Sequence, residues 1–244
     1  MYKSGERPSA GEIGEEMKKV IAMLCLAGAM TLSANAASDK ATLDDRIQAA
    51  NATLQQIMSV PDKAIPNKIA QQATCIGVIP GLKKGAFIFG AEYGRGVVTC
   101  RTGHGWSAPA FITLGGGSFG LQLGGQSTDV VLVAVNDKGF QDLLKSKFKI
   151  GGDAAAAAGP VGRNTQASTD ILLKAELLTY SRSRGLFAGI DLTGTSVTQS
   201  TDDTTAFYGA PHSFEDILHG NVPVPDDAKA YVRTVARYFH SVQK

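Results

Sequence analysis

Residues 75–135 decide the fold, and they read CIGVIPGLKKGAFIFGAEYGRGVVTC (75–100), RTGHGWSAPAFITLGGGSFGLQLGG (101–125) and QSTDVVLVAV (126–135). The apolar runs in this stretch are short, rich in β-branched and aromatic residues, and separated by glycines every few positions. Such runs favour strands over helices, and we place the strands at Ile76–Ile79, Ala86–Phe89, Val97–Val98, Phe111–Leu114 and Val130–Val135. The glycines suit turns, bulges and sharp bends. The stretch therefore predicts a strongly curled, barrel-like antiparallel sheet.

Helices are predicted on both sides of this stretch. Ala37–Pro61 carries its apolar residues on one stripe and has Ser38 or Thr42 as a candidate N-cap. Because it lacks the several lysines or arginines of a membrane-surface helix, we expect it to pack on the sheet. Further helices are predicted at Pro66–Ala73, Asn136–Ser146, Asp202–Tyr208 and Asp226–His240, and Ser213 is predicted to cap a turn that runs to Leu218. The predicted fold class is α+β, with residues 37–244 as a single domain.

Two segments with some helical character are predicted as strands. Gly151–Asn164 contains an alanine run, but the glycines on both sides of that run and Pro160 favour a short, closely packed strand and a turn. Ile171–Ser183 and Gly185–Thr195 indicate a hairpin whose bend lies at Arg182-Ser183-Arg184.

The first 36 residues have the pattern of a secretory leader. From Met17 the chain reads MKKVIAMLCLAGAMTLSANA, which has two lysines, a short apolar run and an A-x-A cleavage site at Ala34–Ala36. The apolar run is shorter than the roughly 20 residues that a membrane span needs. Cys25 lies inside this run, but the residue before it is not the small residue that a lipoprotein signal requires before its cysteine. We interpret residues 1–36 as an upstream extension plus a signal peptide, and we expect export to the periplasm or the extracellular space.

Charge and motifs exclude several function classes. The formal net charge is +2, so no overall basic field indicates nucleic acid. The four histidines show no H-E-x-x-H spacing, no G-x-S-x-G elbow frames a serine, and the glycine clusters do not lead into a phosphate loop. We therefore expect no catalysis and no cofactor, and an unrecognised hydrolase is the least favoured interpretation.

The basic residues lie mostly at predicted turns and strand ends. Lys83 and Lys84 share one predicted turn, Arg95 lies on the next, and Arg101 closes that strand. Turn positions display charge outside a barrel, and the arginine fork matches phosphate oxygens. Two interpretations fit this pattern: a site for anionic head groups, or the ordinary solubilising charge of a near-neutral protein.

Two cysteines, Cys75 and Cys100, lie in the predicted sheet, near the ends of strands. An exported protein meets an oxidising compartment. A disulfide and a pair of buried thiols both fit, because spacing in sequence does not place the two Cα atoms.

Several motifs occur in order along the chain and together closely resemble the SYLF domain family, a lipid-binding domain also described as an actin-binding domain in fungal proteins. The resemblance covers about Ile69 to Gly209. It rests on GVIPGLKKGAFIFGAEYGRGVV (77–98), WSAPAFI (106–112), GGSFGLQLGGQSTDVVLV (116–133), FKIGGDAAAAAGPVGR (148–163), YSRSRGLFAGIDLTG (180–194) and AFYG (206–209).

The resemblance implies a single α+β domain that binds membrane lipids, especially phosphoinositides in eukaryotic members. The basic positions that match the family motifs, and that we expect to bind lipid, are Lys83, Lys84, Arg95, Arg163, Arg182 and Arg184. Because the leader implies an exported, bacterial-type member, we expect anionic phospholipid as the partner, with peripheral membrane contact, and we do not expect actin. The alternative is a structural or adaptor module of the cell envelope that binds protein.

The leader generates a direct prediction. The mature protein should begin at Ala37 and carry no acyl group, because Ala34-Asn35-Ala36 follows a short apolar run. The intact mass of the exported protein measures this. A mass that still includes Val20–Leu32, or a diacylglycerol on Cys25, would contradict it.

Overall fold

The computed structural model describes residues 39–59, 64–86, 90–118, 126–162, 174–183 and 186–240. The helices are α1 (Lys40–Met58), α2 (Asn67–Gln72), α3 (Asp137–Leu144), α4 (Thr201–Tyr208), α5 (Phe214–His219) and α6 (Lys229–Tyr238), with a 3-10 turn at Asp226–Ala228. The strands are β1 (Cys75–Ala86), β2 (Gly90–Thr102), β3 (Gly105–Trp106), β4 (Ala110–Ser118), β5 (Gln126–Ala134), β6 (Lys147–Lys149), β7 (Ala156–Ala158), β8 (Leu177–Ser183), β9 (Leu186–Gly189) and β10 (Ser196–Gln199). The predicted division of the chain at Ala36 lies outside the described residues and stays a prediction.

The strands form one large, strongly curled sheet. Its order is β6-β10-β4-β2-β1-β5-β8-β7, with β3 added to β2 and β9 added to β8. Neighbouring strands are antiparallel except β7 and β8, which are parallel. The predicted α+β fold with a curled sheet and packed terminal helices is confirmed; the parallel pair at one edge departs from the purely antiparallel sheet that the sequence predicted.

The central strands are buried on both faces. On one face, which we call the helix face, α1, α2 and α6 pack against alternate strand residues such as Val78, Val97 and Tyr180. The opposite face packs another cluster, to which β6, β10, α3 and α5 contribute, and it contains residues such as Ile79 and Leu132. Each central strand therefore reads as a nearly continuous apolar run instead of a strict alternation of polar and apolar residues.

Helix α1 packs as its sequence predicts. Its buried apolar positions are Leu43, Ile47, Ala50, Leu54 and Ile57, which form the predicted stripe. The helix begins at Lys40 because the Asp39 side chain accepts a hydrogen bond from the Thr42 amide at 2.8 Å. The N-cap is thus Asp39, and the prediction of Thr42 was wrong; Ser38, Ala37 and Pro61 lie outside the described residues.

A buried ion pair ties α1 to α4. Arg46 Nη1 lies 2.6 Å from Asp203 Oδ2, and both side chains are at most 10% exposed. The Arg46 guanidinium also lies 5.5 Å from the ring centroid of Phe111 on β4. Arg46, in the middle of this helix, is therefore buried in the interior and does not face a membrane.

Strand β1 departs from the prediction at its centre. The separate strands predicted at Ile76–Ile79 and Ala86–Phe89 are one strand as far as Ala86, and residues 87–89 lie outside the description. Lys83 and Lys84 consequently lie inside a strand, not on a turn. Arg95 lies likewise inside β2.

A β-bulge makes this long strand irregular. Between Val78 and Lys83, β1 uses five steps where β2 uses four, from Val97 to Tyr93. Against β5, β1 takes three steps from Ile79 to Leu82, whereas β5 takes two. One extra residue is therefore accommodated at Pro80-Gly81, so the alternation of side chains between the two faces is reversed beyond it.

The bulge is held by a glycine and a carboxylate. Gly81 has a φ of +64°, in the left-handed region that glycine adopts without a steric penalty. Its amide donates a hydrogen bond to Asp129 Oδ1 on β5 at 3.0 Å. The backbone group that the bulge removes from the strand ladder therefore keeps a partner.

The alanine-rich segment is a strand, as predicted, but only Ala156–Ala158 pair, and they pair in parallel with β8. The turn after this strand is governed by packing. A Cβ at Gly159 would come within 2.0 Å of the Tyr180 ring, and one at Gly189 would meet the Gly159 carbonyl at 2.3 Å. The first glycine of Gly-Pro-Val-Gly is thus required for close approach of the chain to Tyr180.

The predicted hairpin and the C-terminal helices are largely confirmed. Strands β8 and β9 pair antiparallel, but β9 ends at Gly189, and the separate strand β10 was not predicted. The last helix is preceded by the 3-10 turn that Asp226 begins, and it ends at Tyr238. The helices α2, α3 and α4 lie where the sequence predicts them. The turn predicted from Ser213 to Leu218 is the helix α5, and Ser213 is its N-cap.

Cys75 and Cys100 form a disulfide. They are directly opposite each other on β1 and β2 and are fully buried. Of the two interpretations that the sequence left open, the structure supports the disulfide. It links the first residue of β1 to β2 across the centre of the sheet.

Reduction of this disulfide should destabilise the fold. We expect the free energy of unfolding of the mature chain to fall by about 2–4 kcal/mol, because the cross-link restricts the unfolded chain. Urea unfolding with and without reductant measures the difference, and a Cys75→Ala, Cys100→Ala variant, which should be insensitive to reductant, is the control. Two free thiols in protein purified under oxidising conditions would refute the disulfide.

Candidate functional site

The bulge brings separate parts of the sequence to one face of the sheet. Beyond it, Lys83 lies opposite Tyr93 of β2 and Ser127 of β5. Tyr93 and Arg95 alternate with Gly94, so they share a face with Val97, which is buried under the helices. Lys83, Tyr93 and Arg95 therefore extend the helix face towards one end of the sheet, where all three are exposed.

Arg182 joins the same face from β8. It lies opposite Asp129, and its Nη2 and Nε atoms are 2.6 and 3.1 Å from Asp129 Oδ2. The other oxygen of this carboxylate accepts the Gly81 amide. Asp129 thus fixes both the bulge and the arginine, and the Arg182 side chain remains 27% exposed.

We call Lys83, Tyr93, Arg95, Asp129 and Arg182 the cationic sheet end. Strands lie about 4.8 Å apart and rise about 3.4 Å per residue, so the Cα atoms of its three cations are separated by about 8 to 14 Å. Three positive charges and one negative charge leave this group with a net charge of +2. The arrangement is a basic surface with an aromatic side chain among its cations.

Arg95 is oriented by Tyr93. Its Nε donates a hydrogen bond to the Tyr93 hydroxyl at 2.7 Å, and its guanidinium carbon lies 5.9 Å from the centroid of the ring. This hydrogen bond raises the pKa of Arg95 above its ordinary value, so the residue is charged at every physiological pH. Tyr93 is 49% exposed, which leaves an aromatic face beside a fixed positive charge.

Lys84 points to the opposite face, although it follows Lys83 directly. Its Nζ lies 3.0 Å from Glu92 Oε2, and the Glu92 side chain is only 5% exposed. The second Glu92 oxygen accepts the hydroxyl of Thr195. Lys84 therefore neutralises a buried carboxylate, and the structure does not bring it to the cationic sheet end.

The remaining basic positions from the sequence analysis fall into two groups. Arg163 and Arg184 lie outside the described residues. Arg101, which closes β2, donates to the carbonyls of Ala73 and Phe239 at 3.0 and 2.7 Å. Burial lowers the pKa of Arg101, and its contacts assign it to the ends of α2 and α6, not to a surface.

Sequence reasoning missed Tyr93 and Asp129. The signal for Tyr93 was the alternation Tyr93-Gly94-Arg95, which places an aromatic and a cation on one face of a strand. No local sequence pattern marks Asp129, because its partners are 48 and 53 residues away in sequence.

The described residues offer no alternative centre for metal chemistry, since no group of three or more His, Cys, Asp or Glu side chains among them is placed to hold an ion. Within the same part of the chain, no helix is long and apolar enough to cross a bilayer.

Comparison with known proteins decides the family. The profile of Ysc84, described as "Las17-binding protein actin regulator", matches residues 115–238, just over half of the 244 residues. The chain belongs to the Ysc84 family. The resemblance to the SYLF domain, which is the domain of this family, is confirmed.

Several eukaryotic proteins are similar to this chain. The chain is 34% identical over 171 residues to "SH3 domain-containing YSC84-like protein 1" of Rattus norvegicus, which covers 69% of this chain and 50% of the relative. It is 33% identical over 171 residues to the protein of the same name in Homo sapiens, with the same coverage. It is 31% identical over 176 residues to "Protein YSC84" of Saccharomyces cerevisiae, which covers 70% of this chain and 37% of the relative. The chain thus spans about half or less of the length of these relatives.

The two adjacent lysines should differ in their effect on stability. Lys84→Gln should lower the free energy of unfolding by about 1–3 kcal/mol, since buried Glu92 would lose its charged partner. Lys83→Gln, on the exposed face, should change it by less than about 0.5 kcal/mol. Urea unfolding of the two variants measures this difference, and equal effects would show that the reversal of faces at the bulge is wrong.

Proposed function

We propose that this protein binds anionic membrane lipid through the cationic sheet end, without catalysis. The observation that carries the proposal is the meeting of Lys83, Arg95 and Arg182 around exposed Tyr93 on one face. The resemblance to the lipid-binding SYLF domain supports it. The proposed ligand is the phosphate-bearing head group of an anionic phospholipid.

The geometry suits a lipid surface better than a single small anion. Cations whose Cα atoms are about 8 to 14 Å apart are too far apart to enclose one phosphate, yet they can face several neighbouring head groups. Each cation near an anionic bilayer gains about 1 kcal/mol from the surface potential. The rigid strands hold these charges in place, so little conformational entropy is lost when they bind.

Tyr93 and Arg182 have distinct parts in this proposal. The exposed ring of Tyr93 has an apolar body and a polar hydroxyl, a combination that favours the boundary between head groups and acyl chains. Arg182 is neutralised in part by Asp129, so we assign it mainly to holding the bulge, with its exposed part available to a phosphate oxygen. We assign the principal lipid contacts to Lys83 and Arg95, because both side chains are exposed.

A protein partner is the second candidate function. The family description names Las17 binding and actin regulation, so an adaptor function is in keeping with the family. The leader predicted for residues 1–36 would export this chain, and export separates it from actin. We therefore propose a location in the periplasm or outside the cell, with the adaptor function directed at an envelope protein if lipid binding fails.

Vesicle binding tests the lipid proposal. The double variant Lys83→Gln, Arg95→Gln should bind vesicles of phosphatidylglycerol and phosphatidylcholine about 30-fold more weakly than the parent, which corresponds to about 2 kcal/mol for two charges. Co-sedimentation of the mature chain at two salt concentrations measures this, and parent binding should weaken as salt screens the charges.

The matched control is Lys147→Gln, Lys149→Gln, which removes two exposed charges from the edge strand β6. It should bind nearly as the parent does. If the Lys83, Arg95 double variant is folded and binds anionic vesicles as tightly as the parent, the cationic sheet end is not the lipid site. If the parent binds no vesicles at all, the adaptor function is favoured.

A further inference from the structure

A second candidate site lies away from the cationic sheet end and shares no residue with it. A cavity of about 640 Å³ opens where the last turn of α1, the start of α2 and the end of α6 meet. Its volume falls within the range of about 300–1,000 Å³ that is typical of small-molecule sites.

Part of the lining of this cavity is apolar. It is lined by Met58 from α1 and by Ala64, Ile65 and Pro66 from the segment before α2. Ala64 is held in place because its carbonyl accepts the Gly162 amide at 3.1 Å. Ala64 and Ile65 are only 5% and 2% exposed, so the lining is a packed wall and not a chance surface depression.

The titratable side chains that the structure describes in the lining are basic. They are Lys68, Arg237 and His240, and none of the described lining residues is acidic. The guanidinium of Arg237 brings a positive charge to the cavity, and low-dielectric walls strengthen its field. A different cavity, of about 430 Å³, is lined by both Arg101 and Asp137.

Arg237 is available to a ligand. Its guanidinium lies 5.5 Å from the ring centroid of Tyr238, and no carboxylate in the described part of the chain pairs with it. The carbonyl of Phe239 at the end of α6 already accepts Arg101 at 2.7 Å, so Arg237 is not needed to satisfy it. His240 is held beside Arg237 by a hydrogen bond of 3.2 Å between its Nδ1 and the Arg237 carbonyl.

From the apolar wall and the basic side chains of Arg237 and His240 beside it, we infer that this cavity binds a single-chain anionic amphiphile. The acyl chain lies against Met58, Ala64, Ile65 and Pro66, and the carboxylate or phosphate head lies between Arg237 and His240. Both head groups match a guanidinium fork. The site takes one detached lipid molecule, whereas the cationic sheet end is proposed to bind the surface of a bilayer.

Titration of the mature chain with defined probes tests this inference. Oleate and lysophosphatidic acid, each below its micelle concentration, should bind at one site per chain, and the tighter of the two identifies the head group. Monooleoylglycerol, which has the chain but no charge, should bind at least tenfold more weakly. Acetate and inorganic phosphate, which have the charge but no chain, should not bind measurably.

Variants locate the site. Arg237→Gln, His240→Gln should weaken oleate binding about tenfold, because the charge-assisted contacts are lost. Met58→Trp should weaken it further by filling the cavity, and if that variant does not fold, the charge variant alone decides. Lys147→Gln, Lys149→Gln is the matched control and should bind oleate as the parent does.

The outcomes separate this inference from the proposed lipid surface. The variant Lys83→Gln, Arg95→Gln should keep full affinity for oleate even where it loses vesicle binding. The inference is overturned if the parent binds neither anionic amphiphile, if the neutral amphiphile binds equally well, if the free anions compete, or if the folded cavity variants bind as the parent does.

Discussion

The carboxylate of Asp129 holds the arrangement on which the rest of the surface depends. One of its oxygens accepts the amide of Gly81 in the bulge, and the other pairs with Arg182 on the neighbouring strand β8. Without the extra residue of the bulge, Lys83 would exchange faces with Lys84. The single bulge in β1 therefore decides which lysine is exposed on the helix face and which pairs with buried Glu92 on the opposite face.

The same constraint links stability to the proposed function. The centre of the sheet is apolar on both faces and is cross-linked by the disulfide of Cys75 and Cys100. Such a centre cannot carry unpaired charge, and the exposed cations Lys83 and Arg95 lie at the end of β1 and β2 beyond the bulge. A rigid sheet then presents Arg95 and Lys83 without a mobile loop to order. The proposed lipid surface is in keeping with the resemblance to the lipid-binding SYLF domain. The inference about the cavity beside Arg237 rests on its lining residues.

The sequence predicted the positions of most helices and strands, but it did not predict which face of the sheet each side chain occupies. The stripe of α1, the hairpin at Arg182 and the positions of the short helices follow from local periodicity and capping, and local signals are sufficient for them. The face of Lys83 depends on register, and register depends on a contact with Asp129, which lies 48 residues from Gly81 in sequence. No local pattern contains that information. The lysine pair therefore appeared as one basic turn, when its two members serve opposite faces.

Chemical modification of the two lysines tests the central claim most directly. The mature chain is treated with an amine-acetylating reagent, with and without vesicles of phosphatidylglycerol and phosphatidylcholine, and tandem mass spectrometry reads each position. The account predicts that Lys83 reacts quickly and is protected by anionic vesicles but not by phosphatidylcholine alone. Lys84, held by Glu92, should react slowly in every condition. Equal reaction rates for the two lysines, or a Lys83 that anionic vesicles leave unprotected, would contradict the account.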